Sequence, residues 1–181
     1  MRKLLPFVLL ISLFGCSFSR TAKTDEDGIR LHYQECSQLQ LKAEISAEFP
    51  GYVTTYLVDY LCSEDAADRL TVLEPESISG ITVTLDGETP LLSVGETRLE
   101  LGTLDENGLS PISVLPRLLD FWKETATETE TVKENGEDCL LTVYEEENCR
   151  YRTLFSRETY LPIRAEVFCE GECVLRVRFV T

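Results

Sequence analysis

The sequence predicts a mainly β (α+β) domain: a curled antiparallel sheet with one helix packed in its concave face. Three observations carry this. Apolar and polar residues alternate strictly from Leu39 to Phe49, the period of a half-buried strand. Further short strand-like runs follow, separated by turn dipeptides, with no strand–helix alternation of the nucleotide-binding kind. One internal stretch, 109–122, changes to a helical period.

Residues 17–27 are rich in Ser, Thr, Lys, Asp and Glu and read as a flexible tether. A short helix is expected at about 25–35. The alternating strand 39–49 comes next, then the Pro50-Gly51 turn and a partner strand over 52–62. Arg69–Leu73 is a third strand, ending at Glu74-Pro75-Glu76. Ile78–Leu85 is a fourth, closed by the Asp86-Gly87 turn signal. Leu91–Val94 and Arg98–Leu101 pair around Gly95-Glu96, and Asn107-Gly108 breaks the pattern.

In 109–122, Ser110 is placed as the helix cap with Pro111 at the first helical position. Ile112, Leu115, Leu118, Leu119 and Trp122 form the apolar face, widened by Val114 and Phe121. Pro116 inside this face predicts a kink or two short pieces. The Thr- and Glu-rich stretch 123–138 reads as an exposed strand or loop with a turn at Asn135-Gly136. Strands resume at about 139–145, 149–157, 160–169 and 173–180.

The first sixteen residues have a different logic. Arg2 and Lys3 precede an apolar run from Leu4 to Phe14, and Leu13-Phe14-Gly15-Cys16 closes it. A basic start, an apolar middle and a small residue before the cut describe a secretory signal. As a helix the run covers only about 16 Å, against roughly 30 Å of bilayer hydrocarbon, so a membrane span fails on length. The Leu-x-Gly-Cys ending resembles the bacterial lipobox, whose Cys receives a diacylglycerol; two acyl chains suffice for stable anchoring. The expected organisation is therefore a signal over 1–15, a lipid-anchored tether over 16–27 with Cys16 lipidated, and a single domain over 28–181. The expected location is the extracytoplasmic face of the cell membrane.

The chain's net charge is −15, and loss of Arg2 and Lys3 makes it more negative. Such a surface repels phosphates of nucleic acid and anionic headgroups. At 43% hydrophobic the chain is not a disordered acidic tail.

With Cys16 committed to lipid, Cys36, Cys62, Cys139, Cys149, Cys169 and Cys173 remain, an even number that suggests disulfides in an exported protein. Spacing does not choose among the pairings. Two have local geometry in their favour: Cys169 with Cys173 across a tight hairpin, and Cys139 with Cys149 across a hairpin centred near Glu145. Reduced, half-buried thiols are the alternative. No Cys-x-x-Cys exists and His32 is the single His, which weighs against zinc.

This order of elements resembles the LolA/LolB family of lipoprotein carriers: a lipoprotein signal, long antiparallel strands, a proline-bearing apolar helix, then more strands. The segments Leu70-Thr71-Val72-Leu73-Glu74-Pro75-Glu76, Ile78-Ser79-Gly80-Ile81 and Gly108-Leu109-Ser110-Pro111 with Leu115-Pro116 resemble clostridial lipoproteins of that group. One of those partners a cortex-modifying amidase in spores. The resemblance covers roughly residues 36–181. It implies an open half-barrel with helices in its concave face.

Catalytic groups are sparse in the sequence. A Ser-His-Asp or Cys-His site would have to run through His32, beside the tether; a solvated ring is the simpler reading. Glu124, Glu128 and Glu130 read as a solvated face rather than a catalytic carboxylate pair. No glycine-rich phosphate loop or EF-hand calcium loop is present, and no cofactor is expected. Tyr56, Val58 and Tyr60 alternate on one strand face, where they would oppose Ile112, Leu115, Leu119 and Trp122. Those seven residues line either an apolar ligand cavity or an ordinary core plugged by the helix. Two functions follow. One is a non-catalytic domain binding a lipid or other apolar ligand at the envelope. The other is an accessory lipoprotein that binds and stabilises an envelope or spore-cortex enzyme, marked by a filled core. A hydrolase ranks below both.

Overall fold

The structure, a computed structural model, describes residues 18–49, 51–85, 89–102 and 108–180. The side chains of 18–24 and of Phe49 are outside that description, as are the expected signal, Cys16, the Asp86-Gly87 turn and Asn107. Helix α1 (Phe18–Gln34) leads into the long hairpin β1 (Gln38–Phe49) and β2 (Tyr52–Ser63). Strands β3 (Ala66–Glu74), β4 (Thr82–Leu85), β5 (Leu91–Val94) and β6 (Thr97–Glu100) continue the meander. Helix α2 (Val114–Trp122) follows. The second meander is β7 (Glu128–Glu134), β8 (Glu137–Glu146), β9 (Cys149–Ser156), β10 (Pro162–Cys169) and β11 (Glu172–Val180).

The two meanders join where β1 pairs antiparallel with β11, giving one 11-stranded sheet in the order β6-β5-β4-β3-β2-β1-β11-β10-β9-β8-β7. The sheet is curled and open, with β6 and β7 as its edges.

Alternation decides which side of each strand is buried. Leu41, Ala43, Ile45 and Ala47 of β1 point into the concave face. Their partners across β2, β3 and β11 do the same: Val58, Tyr60, Leu70, Val72, Leu175 and Val177. β8 departs from alternation, with Cys139 to Tyr144 all buried. Its Leu140 and Tyr144 join the main core. Cys139 and Leu141 join Leu154, Val132 and Ile163 in a smaller cluster on the outer face.

Three expectations are corrected. The first helix starts at Phe18, so most of the stretch expected to be a tether is helical. Its docking explains this. Ile29 and Tyr33 are buried on its inner face, and Glu26 accepts a bond from the Ala126 N–H at 3.2 Å. Asp25 pairs with Arg157 at 3.0 Å. Tertiary contacts thus hold a segment whose composition reads as loop. Second, 78–85 is not one strand: Glu76–Ile78 is a 3-10 turn, and Gly80 at φ +84° reverses the chain before β4.

Third, the helix expected over 109–122 is a single piece that begins at Val114. Ser110 and Pro111 belong to a turn before it, in which the Ser113 and Val114 N–H groups both bond the Ser110 carbonyl. Pro116 then falls in the first helical turn, where its missing N–H would have no intrahelical acceptor anyway, so no kink arises. The stretch 123–138, expected as an exposed strand or loop, contains the largely exposed strand β7.

The core predicts a contrast in stability. Leu118→Ala, at a fully buried position of α2, should cost about 2–5 kcal/mol in urea unfolding. Val53→Ala, at a residue 62% exposed, should change stability by less than about 0.5 kcal/mol.

Candidate functional site

The concave face is the natural place for a site in a curled sheet, and α2 lies in it. Val114, Leu115, Leu118, Leu119, Phe121 and Trp122 are all buried there. Trp122 has no exposed surface, and its indole N–H donates to Thr153 Oγ1 at 3.1 Å. The rings of Tyr33, Phe155 and Phe179 surround it at 4.9, 5.3 and 5.8 Å. Thr153 is itself buried, and its carbonyl accepts from Thr142 Oγ1 at 3.4 Å. The one polar atom of the largest core side chain is therefore satisfied within the core.

Of the seven residues expected to line the face, Val58, Tyr60, Leu115, Leu119 and Trp122 meet in one cluster, and Tyr56 packs half-buried against it. Ile112 sits half-buried in the turn before α2 and is not part of that cluster. The side chains pack on one another, which is the plugged arrangement of the two expected.

Polar groups around this plug were not anticipated. The Tyr60 hydroxyl donates to Asp68 Oδ2 in a short hydrogen bond, and Asp68 Oδ1 accepts from the Ser63 N–H at 3.4 Å. Burial, reinforced by the Asp68 carboxylate, pushes the Tyr60 phenol far above its usual range. The same two causes, in the same order, push the neighbouring Cys62 thiol up to about 11. At the other end of α2, the Arg117 guanidinium lies 4.3 Å from the Phe121 ring centroid and pairs with Glu146. Gly108, at φ +66°, permits this: a Cβ there would sit 2.6 Å from the Arg117 Cβ.

α1 closes the far side. Tyr33 Oη donates to the Tyr160 carbonyl at 3.0 Å, and Gln34 Nε2 donates to the Lys123 carbonyl at 2.7 Å. Gly28 admits the Tyr160 ring, whose hydroxyl would lie 2.5 Å from any Cβ there. His32 stacks edge-on with Tyr33 at 5.0 Å. The sequence signal for this seam was the Gly28-Ile29…Tyr33 spacing, which is too short to separate from chance.

Both favoured disulfide pairings are corrected. The bond joins Cys149 to Cys169, directly opposite one another on β9 and β10. Cys139 lies far along β8 opposite Ser156, because the hairpin turns beyond Glu146. Cys173 opposes Phe168, since the two-residue turn Glu170-Gly171 sets Cys169 opposite Glu172. Burial raises the thiols of both Cys139 and Cys173 above their ordinary range. Among the described residues no group of three or more His, Cys, Asp or Glu is placed to hold a metal ion.

No family model matches the chain, and no curated protein matches it in sequence. Solved structures do match its fold. An uncharacterized conserved protein from Thermus thermophilus is 10% identical and superimposes with a TM-score of 0.54, covering 88% of this chain and 85% of its own. LprF from Mycobacterium bovis is 6% identical, with a TM-score of 0.52 over 92% of this chain and 94% of its own. A LolA superfamily protein from Nitrosomonas europaea is 12% identical, with a TM-score of 0.42 over 92% and 93%. The open, curled antiparallel sheet with a helix in its concave face, expected from the sequence, is the fold the chain shares with the first two of these. At these identities the likeness is one of fold.

Two outcomes follow for the cysteines. Cys149→Ser opens a covalent loop of sequence separation 20 and should lower unfolding stability by about 3 kcal/mol. Cys62 has a folded pKa above its ordinary 9.0, so its contribution to stability is complete below pH 9 and is lost as pH rises through about 11. Alkylation of Cys62 at pH 8 should therefore be slow and should quicken toward pH 11; rapid labelling at pH 8 would contradict its burial beside Asp68.

Proposed function

We propose that the chain is a lipid-anchored, extracytoplasmic LolA-like lipoprotein that works by binding rather than catalysis, and that its plugged half-barrel holds a protein partner at the envelope. The observation that supports this most is the burial of α2 in the concave face. Among the described residues the concave face is filled, and an acyl chain entering it would displace α2 and expose Leu115, Leu118, Leu119 and Trp122. At about 1.5–3 kcal/mol for each large apolar side chain, that cost is comparable to the whole stability of a domain this size. A partner protein needs no such opening.

The placement of the two ends agrees with this reading. α1 enters β1 at the end of the sheet that carries the β2–β3 turn, and its Asp25 reaches Arg157 in the β9–β10 turn at that same end. The exposed Tyr52 and Val53 lie at the opposite end of 12-residue strands, about 40 Å away. An anchor at Cys16 would thus hold one end near the lipid and leave the other facing outward. No helix of the described residues is long and apolar enough to cross a membrane.

Native mass spectrometry of residues 17–181 tests the choice between partner and ligand. The expected spectrum holds the polypeptide mass alone, unchanged after incubation with extracted envelope lipid. Bound mass in the lipid range, lost on denaturation and absent from a folded Leu115→Arg variant, would replace this reading with the carriage of an apolar ligand. Separately, Cys16→Ala in the full chain should move it from the membrane to the soluble fraction; retention in the membrane would refute the anchor.

A further inference from the structure

Among the described residues the sheet ends in two uncovered strands, and they are chemically unlike. β7 carries Glu128, Glu130, Lys133 and Glu134, of which Glu128 pairs with Arg150 at 3.0 Å, Lys133 with Asp138 at 2.7 Å and Glu134 with Arg164 at 3.6 Å. Charged side chains already engaged with neighbours discourage a second strand from pairing there. β6 carries one charge of each sign instead. Thr97, Arg98, Leu99 and Glu100 are all exposed, Leu99 by 59%. Neither Arg98 nor Glu100 has an ion-pair or hydrogen-bond partner for its side chain among the described residues.

The hairpin fixes which main-chain groups of β6 face outward. Its turn is Gly95-Glu96, flanked by the pair Val94 and Thr97, and the Leu101 N–H donates to the Pro90 carbonyl at 2.8 Å. Hydrogen bonding alternates along an antiparallel pair. Thr97, Leu99 and Leu101 therefore bond toward β5, while Arg98 and Glu100 turn their N–H and C=O groups to the open edge. A strand added antiparallel must set outward-bonding residues opposite one another.

A second copy of β6 can meet that condition with Arg98 opposite Arg98, with Glu100 opposite Glu100, or with Arg98 opposite Glu100. The first two oppose like charges, which destabilises a ladder; the third opposes unlike charges, which stabilises it. The third register also places Leu99 against its own copy at a non-hydrogen-bonded position, where side chains approach most closely. It is two-fold symmetric, as a self-complementary interface requires. We propose that two copies of this chain join through β6 in that register, so that one continuous sheet runs across both. Arg98 and Glu100 of each copy pair with Glu100 and Arg98 of the other.

The test uses the full chain in its own membrane. Leu99→Cys should give a disulfide-linked dimer on mild oxidation, seen on a non-reducing gel. The unsubstituted chain, with its native thiols, controls for other cross-links and should give none. In the Leu99→Cys background, Arg98→Glu or Glu100→Arg alone should lower the dimer yield roughly tenfold. The two together restore the opposite-charge register and should recover the parent yield, which also shows that the single variants did not merely misfold. Absence of the Leu99→Cys dimer, or failure of the double exchange to recover it, would overturn the proposal. Sedimentation of the detergent-purified chain gives a second reading without added cysteine: a dimer for the chain and for the double exchange is expected, and a monomer throughout would refute it.

Discussion

The burial of Trp122 against Thr153 is the contact on which the rest of the structure depends. A sheet of 11 strands has a wide concave face, and an empty one would leave Ile45, Tyr60, Tyr151 and Val177 facing water. α2 covers them with six apolar side chains from nine residues. The Trp122 indole N–H fixes the depth of the helix, because a donor removed from water must find an acceptor or cost about 1–3 kcal/mol. Thr153 supplies that acceptor from β9, and Tyr33 of α1 lies against the same ring. One side chain therefore ties both helices to the second meander.

Charge is arranged around this plug without holding it. Arg178 pairs with Glu44 at 2.8 Å and Arg150 with Glu128 at 3.0 Å, and Arg152 and Arg164 share Glu166 at 3.5 and 3.7 Å. Solvent-facing pairs of this kind each contribute about 0–1 kcal/mol. Their main effect is to commit the arginines of β9, β10 and β11 to acids of the same outer face. The net −15 then remains as an acidic surface, while Arg98 at the β6 edge has no partner among the described residues. Stability comes mainly from the concave side.

How much of this was legible in the sequence depended on the range of the interaction. Alternation in β1 and helical spacing in α2 are local patterns, and both were readable as buried faces, along with their meeting in one core. Pro116 misled because helix interior and first turn look the same until the cap is known, and the cap lay three residues later than Ser110 suggested. The extent of α1 was hidden because Asp25 and Glu26 are held by Arg157 and the Ala126 N–H, more than a hundred residues away in the case of Arg157. The disulfide was missed for the same reason. Hairpin proximity favours partners close in sequence, whereas Cys149 and Cys169 are brought together by the register of β9 on β10. The Tyr60–Asp68 bond likewise depends on the turn between β2 and β3 and has no signature in spacing.

Packed in this way, α2 is a fixed part of the core and not a gate over a cavity. Native-state hydrogen exchange of the α2 amides tests it most directly, since exchange reports the free energy of the opening that exposes each group. The hydrogen-bonded amides of Leu118 to Trp122 should exchange only through global unfolding, with the same opening free energy as the amides of β1, β2 and β11. Exchange of α2 through a smaller opening, while those strands stay protected, would contradict it and show that the concave face opens in the folded protein.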